Sequence, residues 1–137
     1  MERVDGTFYP ATDHSFSTHH EDNRILGGFV TCAYLGNSMN VHMAAQDPHW
    51  FSRELAWLVF DYCFNQCGCH KMITGVRSDN PKALVICMRA GWQIETTITD
   101  LFAEGVDMMV LWMRPETCPW LRYQPRLFRS TIMAPVA

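Results

Sequence analysis

The sequence predicts an α/β domain built on a mixed sheet, and three observations predict it. Residues 70–92 read as a short apolar strand, a capped helix, a glycine stop and the start of another strand. Residues 51–66 carry apolar side chains at helical spacing between two strand-like stretches. Residues 38–45 alternate, with Met39, Val41 and Met43 on one side and Asn40, His42 and Ala44 on the other. The chain has 137 residues, of which 48% are apolar. That is the length of a single domain with a core of its own. The helix between the strands at 38–45 and 71–77 is the connection that makes those two parallel, with a right-handed crossover.

In chain order, Gly6, Pro10, Asp13 and Ser15 break any periodicity in the first 24 residues, although 15–20 have strand character. Residues 25–35 form a strand, and Gly36-Asn37 supply the positive backbone angles of a tight hairpin into 38–45. Asp47-Pro48-His49-Trp50 lead into the helix at 51–66, whose stripe is Phe51, Leu55, Leu58, Val59 and Tyr62. Trp57, Phe60 and Phe64 widen the stripe, so most of this helix is predicted to be buried. Cys67-Gly68-Cys69 stop it, and 71–77 follow as a strand. Asn80 has the side chain of an N-cap and Pro81 suits the first helical position, where a missing N–H costs nothing. The helix runs over 83–90 until Gly91 supplies a left-handed residue. Residues 92–101 and 106–113 make a last antiparallel pair around 102–105, and Pro115 and Pro119 end regular structure. The division expected is one domain over 1–121 and a tail over 122–137, extended or docked on a partner.

Bulk properties exclude several classes. A net charge of −3 supplies no general attraction to nucleic acid or to an anionic membrane. The first ten residues lack the apolar core of a signal peptide. Arg53, Glu54 and Asp61 interrupt the most apolar helix, so no membrane span is expected. A cytoplasmic protein with reduced cysteines follows as the expectation. Cys63, Cys67, Cys69 and His70 have metal-ligand chemistry, but no second pair completes four ligands. Packing on the last turns of a helix is the preferred reading, and no metal is expected. His14, His19 and His20 are read as surface residues.

Asn80-Pro81-Lys82-Ala83, followed by Gly91-Trp92, is similar to the "Asn-x-x-Ala … Gly-Phe" signature of the GNAT N-acetyltransferases. Residues 60–68 resemble that family's "DYAF…LG" helix end, and 108–113 resemble its last core strand. The ending at 113–121 resembles versions carried by bacteriophages, and the signature resembles the ribosomal-protein N-terminal acetyltransferase branch. The resemblance implies a mixed sheet whose parallel central strands, 39–45 and 71–77, splay apart, with helices on both faces. Only about 24 residues precede Ile25, so the fold is expected to be N-terminally reduced. The side that walls the acceptor in the family is then open, or completed by a second copy as a homodimer, or covered by the tail.

The same resemblance implies acetyl-CoA as the acyl donor. Its pantetheine arm would pair with the backbone of Val41, Met43 and Ala44, and its pyrophosphate would meet Trp50, Phe51, Ser52 and Arg53 at the following helix start. Asn80 would lie near the pantetheine. The family's pyrophosphate loop is glycine-rich, whereas 47–53 here contain no glycine. Where the family often places a tyrosine acid, this chain has Cys87. An amine acceptor must lose its proton, and imidazole near neutrality is the natural base, so His42 is the first candidate and Glu54 the second. The expected function is transfer of acetyl from acetyl-CoA to a primary amine, on a protein and plausibly a host protein, by direct attack. The alternative is a GNAT-fold module without catalysis that binds or inhibits a host protein.

Overall fold

The computed structural model describes residues 14–19, 25–45 and 51–125. Six strands form one sheet: β1 (His14–His19), β2 (Ile25–Cys32), β3 (Ser38–Ala45), β4 (Lys71–Arg77), β5 (Gln93–Ala103) and β6 (Val106–Met113). Their spatial order is β1-β2-β3-β4-β6-β5. Only β3 and β4 run parallel; every other neighbouring pair is antiparallel. Helix α1 (Arg53–Asp61) joins β3 to β4, and α2 (Pro81–Arg89) joins β4 to β5. The mixed α/β class expected from the sequence is the class observed.

Helix α1 starts because Ser52 is extended and its hydroxyl accepts the Leu55 N–H at 3.0 Å. It ends differently from the single helix predicted over 51–66, because one turn of π-helix takes up Tyr62–Gln66. The buried Asp61 carboxylate receives Asn65 Nδ2 at 2.8 Å and Gln66 Nε2 at 3.1 Å, which ties down the widened turn. Helix α2 begins as predicted: the Asn80 side-chain oxygen accepts the Ala83 N–H at 3.2 Å, with Pro81 in the first turn. It stops at Gly91, whose φ of +107° favours glycine.

The core lies on one face of the sheet. Met39, Val41, Met72, Thr74, Val76, Leu111 and Met113 are buried there, at alternate positions of β3, β4 and β6. Leu55, Val59 and Phe60 of α1, Cys63 of the π turn and Cys87 of α2 join the same cluster. A short 3-10 turn, Pro119–Arg122, closes one end: Trp120 meets Phe51 edge-on at 5.0 Å and donates its Nε1–H to the Ala90 carbonyl at 2.7 Å. Part of the predicted tail is thus packed, since Tyr123 lies 4.7 Å beneath the Arg53 guanidinium.

One expectation is corrected. Among the described residues both helices lie on the Met72–Leu111 face, not on the two faces of the sheet. The buried positions of β3, β4 and β6 all point to the helices' side, while Asn40, His42 and Arg77 alternate with them on the other. Trp112 on that face is half-buried under Lys71 and Arg114, at 6.0 and 5.4 Å from its ring.

Two substitutions test the α2 punctuation. Asn80→Ala should cost about 1 kcal/mol in chemical denaturation by loss of the cap. Gly91→Ala should cost more, roughly 1–3 kcal/mol, because the added Cβ adopts a disfavoured φ and sits 3.0 Å from Pro119.

Candidate functional site

The parallel seam is short. β3 and β4 pair only through Ser38↔Lys71, Met39↔Met72 and Asn40↔Ile73, although β3 continues to Ala45 and β4 to Arg77. Both strands stay paired on their outer sides: β2 follows β3 to Ala45, and β6 follows β4 to Arg77. The sheet therefore forks at its centre. At the apex the buried Thr74 hydroxyl donates to the Val41 carbonyl at 2.8 Å.

The fork opens toward the C-terminal end of β3, from which the chain leads to the start of α1. A helix start offers free N–H groups and the positive end of the helix dipole, a setting that suits an anion. Ser52 caps that start, Arg53 is exposed, and exposed Glu54 occupies the first turn. Backbone groups in the fork and a polar helix start beside it suit an extended, amide-bearing ligand that ends in an anion.

The fold brings Val41, His42, Met43 and Ala44 together on the fork edge of β3. Val41 faces the core, fully buried, and His42 is half-buried on the opposite face, which carries no helix among the described residues. Phe51 packs against Phe29 and Trp120, with ring centres 6.3 and 5.0 Å away, so its side chain belongs to the core. Asn80 stands at the start of α2 with its oxygen engaged in the cap. Trp50 lies outside the described residues. Cys87 is buried in the layer between α2 and the sheet, and burial pushes its thiol up to about 11. A thiol that holds its proton so firmly is a poor acid toward a leaving thiolate.

Sequence reasoning missed Thr74. It sits in a strand of Met, Ile and Val, where a threonine reads as one more β-branched residue. Only its phase with buried Met72 and Val76 marked it as an inward-facing hydroxyl in need of a partner. The cysteine cluster is absorbed by packing: Cys63 and Cys69 are buried, and desolvation raises both thiols. Among the described residues no group of three His, Cys, Asp or Glu side chains is placed to hold a metal ion. No helix there is long and apolar enough to cross a membrane.

No family model matches this chain, and no curated protein matches it. Solved structures do. A spermidine N-acetyltransferase from Vibrio cholerae in complex with CoA and spermine superposes with a TM-score of 0.66 at 19% identity, covering 80% of this chain and 69% of that one. A glutamate-to-glutamine mutant form of the spermidine/spermine N-acetyltransferase from the same organism gives a TM-score of 0.65 at 19% identity over 83% of this chain and 72% of that one. A phenylalanine-to-alanine mutant gives 0.63 at 19% identity, and this chain spans 66% of its length. The fold is therefore that of these acetyltransferases, and the match spans about two thirds of the neighbour's length.

The raised thiols set a pH dependence. Cys87 has a folded pKa of about 11 against an ordinary 9.0, so the neutral thiol is the form the fold favours. The associated stability is complete below pH 9 and is lost as pH rises toward 11. Thermal melts from pH 8 to 11 should show the midpoint falling over that window, and Cys87→Ala should make the fall shallower, the other buried thiols supplying the rest.

Proposed function

We propose that this protein transfers an acetyl group from acetyl-CoA to a primary amine. The observation that carries the reading is the fork between β3 and β4 with the start of α1 at its open end. An amide-bearing arm adds to an opened sheet as a further strand, with the backbone of Val41, Met43 and Ala44 as its partner. Ser52, Arg53 and the first N–H groups of α1 would take the pyrophosphate, with Trp50 and Phe51 as the chain leading to them. The neighbour holding CoA and spermine supports both the donor and an amine acceptor.

Acetyl-CoA supplies an activated thioester carbonyl. The amine nitrogen attacks that carbon, the N–C bond forms, the C–S bond breaks, and the electron pair leaves on sulfur as CoA thiolate. His42, held on a rigid strand at the mouth of the fork, is the proposed base that takes the proton from the amine. Glu54 stands at the helix start, where a carboxylate favours the dipole, and is the second candidate. With Cys87 buried and firmly protonated, the thiolate is taken to depart as such or to be protonated by solvent.

A protein amine is the acceptor we favour. The signature at Asn80 to Trp92 resembles that of enzymes acting on ribosomal-protein N-termini, and the ending at 113–121 resembles phage-carried versions. A host protein is the corresponding partner. A polyamine is the second reading, favoured by the spermidine and spermine named for the neighbours.

Calorimetric titration with acetyl-CoA and with CoA should give one-site binding in the micromolar range; no binding at millimolar ligand would leave a GNAT-fold binding module instead. His42→Ala should lower kcat by about a hundredfold while the melting midpoint stays in place. Unchanged turnover would remove His42 from the mechanism. Offering spermidine and a peptide with a free N-terminus side by side, with mass spectrometry as readout, decides the acceptor class.

A further inference from the structure

We infer that Thr74 is the positioning residue that opens the fork, by taking the place of the next rung of the β3–β4 ladder. The register is explicit enough to name that rung. The Lys71 N–H donates to the Asn37 carbonyl at 3.2 Å, and Ser38↔Lys71, Met39↔Met72 and Asn40↔Ile73 follow in parallel register. In a parallel ladder the donors on one strand recur at every second residue. After Lys71 and Ile73 the next donor is the Gly75 N–H, and its acceptor is the Val41 carbonyl.

That rung is missing, because the ladder ends at Asn40↔Ile73. The Val41 carbonyl is satisfied all the same: it accepts the Thr74 hydroxyl at 2.8 Å in a buried setting. A side-chain donor thus stands in for a backbone donor. A buried carbonyl left unpaired would cost enough to pull the strands together; once the hydroxyl pairs it, that pull is gone. The strands separate from this point, and the Gly75 N–H is left facing the fork outside the ladder. Gly75 is exposed, while Thr74 is only 4% exposed. β6 holds the other edge of β4 through Val76↔Met109 and Arg77↔Met108, so β4 keeps its shape while it leaves β3.

The idea rests on the acetyl-CoA reading for its purpose, since the fork is where the donor's arm would lie, but not for its geometry. Two readouts keep the two apart: amide hydrogen exchange of the free protein, residue by residue, and calorimetric affinity for CoA. In the wild type, the Gly75 amide should exchange at least about tenfold faster than the Ile73 amide, which lies inside the ladder. Thr74→Val keeps the shape and removes the donor. It should slow Gly75 exchange by about tenfold as the strands zip by one rung, and it should weaken CoA binding by a similar factor. Thr74→Ser, which restores the hydroxyl, should bring both readouts back toward the wild type.

A Gly75 amide as protected as Ile73 in the wild type overturns the proposal, and that result is in hand even where the valine variant does not fold. Wild-type exchange at Gly75 in Thr74→Val overturns it as well. Wild-type protein that shows the exchange contrast but binds no CoA overturns the acetyl-CoA reading and leaves Thr74 as the residue that opens the fork.

Discussion

Two antiparallel half-sheets, β1-β2-β3 and β4-β6-β5, meet along a parallel seam of three residue pairs, and the rest of the molecule follows from how short that seam is. Each half satisfies its own backbone groups by antiparallel pairing, which needs no help from the other. The parallel seam alone requires a crossover, and α1 with its π turn is that crossover. Because the halves are anchored separately, they can diverge without breaking any antiparallel rung. The divergence puts unshared strand edges next to the start of α1, the point at which the chain re-enters from β3.

Packing fixes which side of this fork is closed. Met39 and Val41 from one half and Met72, Leu111 and Met113 from the other are all buried on the same face. There α1 and its π turn seal the seam, with Cys63 Sγ 3.5 Å from the Met39 sulfur and the Phe60 ring tilted against Trp92 at 6.1 Å. Helix α2 and the turn carrying Trp120 close the lower edge. His42 and Asn40 face the other way, toward a surface that carries polar side chains and a tryptophan under two cations. Burial on one face and polar side chains on the other are two outcomes of one alternating pattern in β3.

Much of this was legible in the sequence. The strand at 71–77, the Asn80 cap, Pro81 and the Gly91 stop were read from local chemistry and recur at those positions, because caps and left-handed glycines depend on neighbours within a few residues. The strand at 38–45 was equally clear from its alternation. What failed depends on side-chain contacts that periodicity does not show, one local and others distant in the chain. The π turn at Tyr62–Gln66 is held by Asp61 receiving two amide side chains, and helical periodicity does not register it. The side on which helices pack depends on which strand face is apolar across three strands at once. Thr74 was invisible for the same reason, since its partner Val41 lies 33 residues earlier.

The residues that differ from the motifs this sequence resembles have physical addresses. The Phe51 ring is committed to Phe29 and Trp120. Ser52 uses its oxygen to hold the Leu55 N–H. Cys87, at the position of an acid, faces α2's buried side and keeps its proton. Each of these side chains has a contact within the fold. Along the fork stand backbone N–H and C=O groups, the helix start with exposed Arg53, and the His42 imidazole. A ligand held mainly by backbone is recognised by its own amides and phosphates, whatever side chains line the slot. Such recognition would ask of the sequence only that the two strands stay apart.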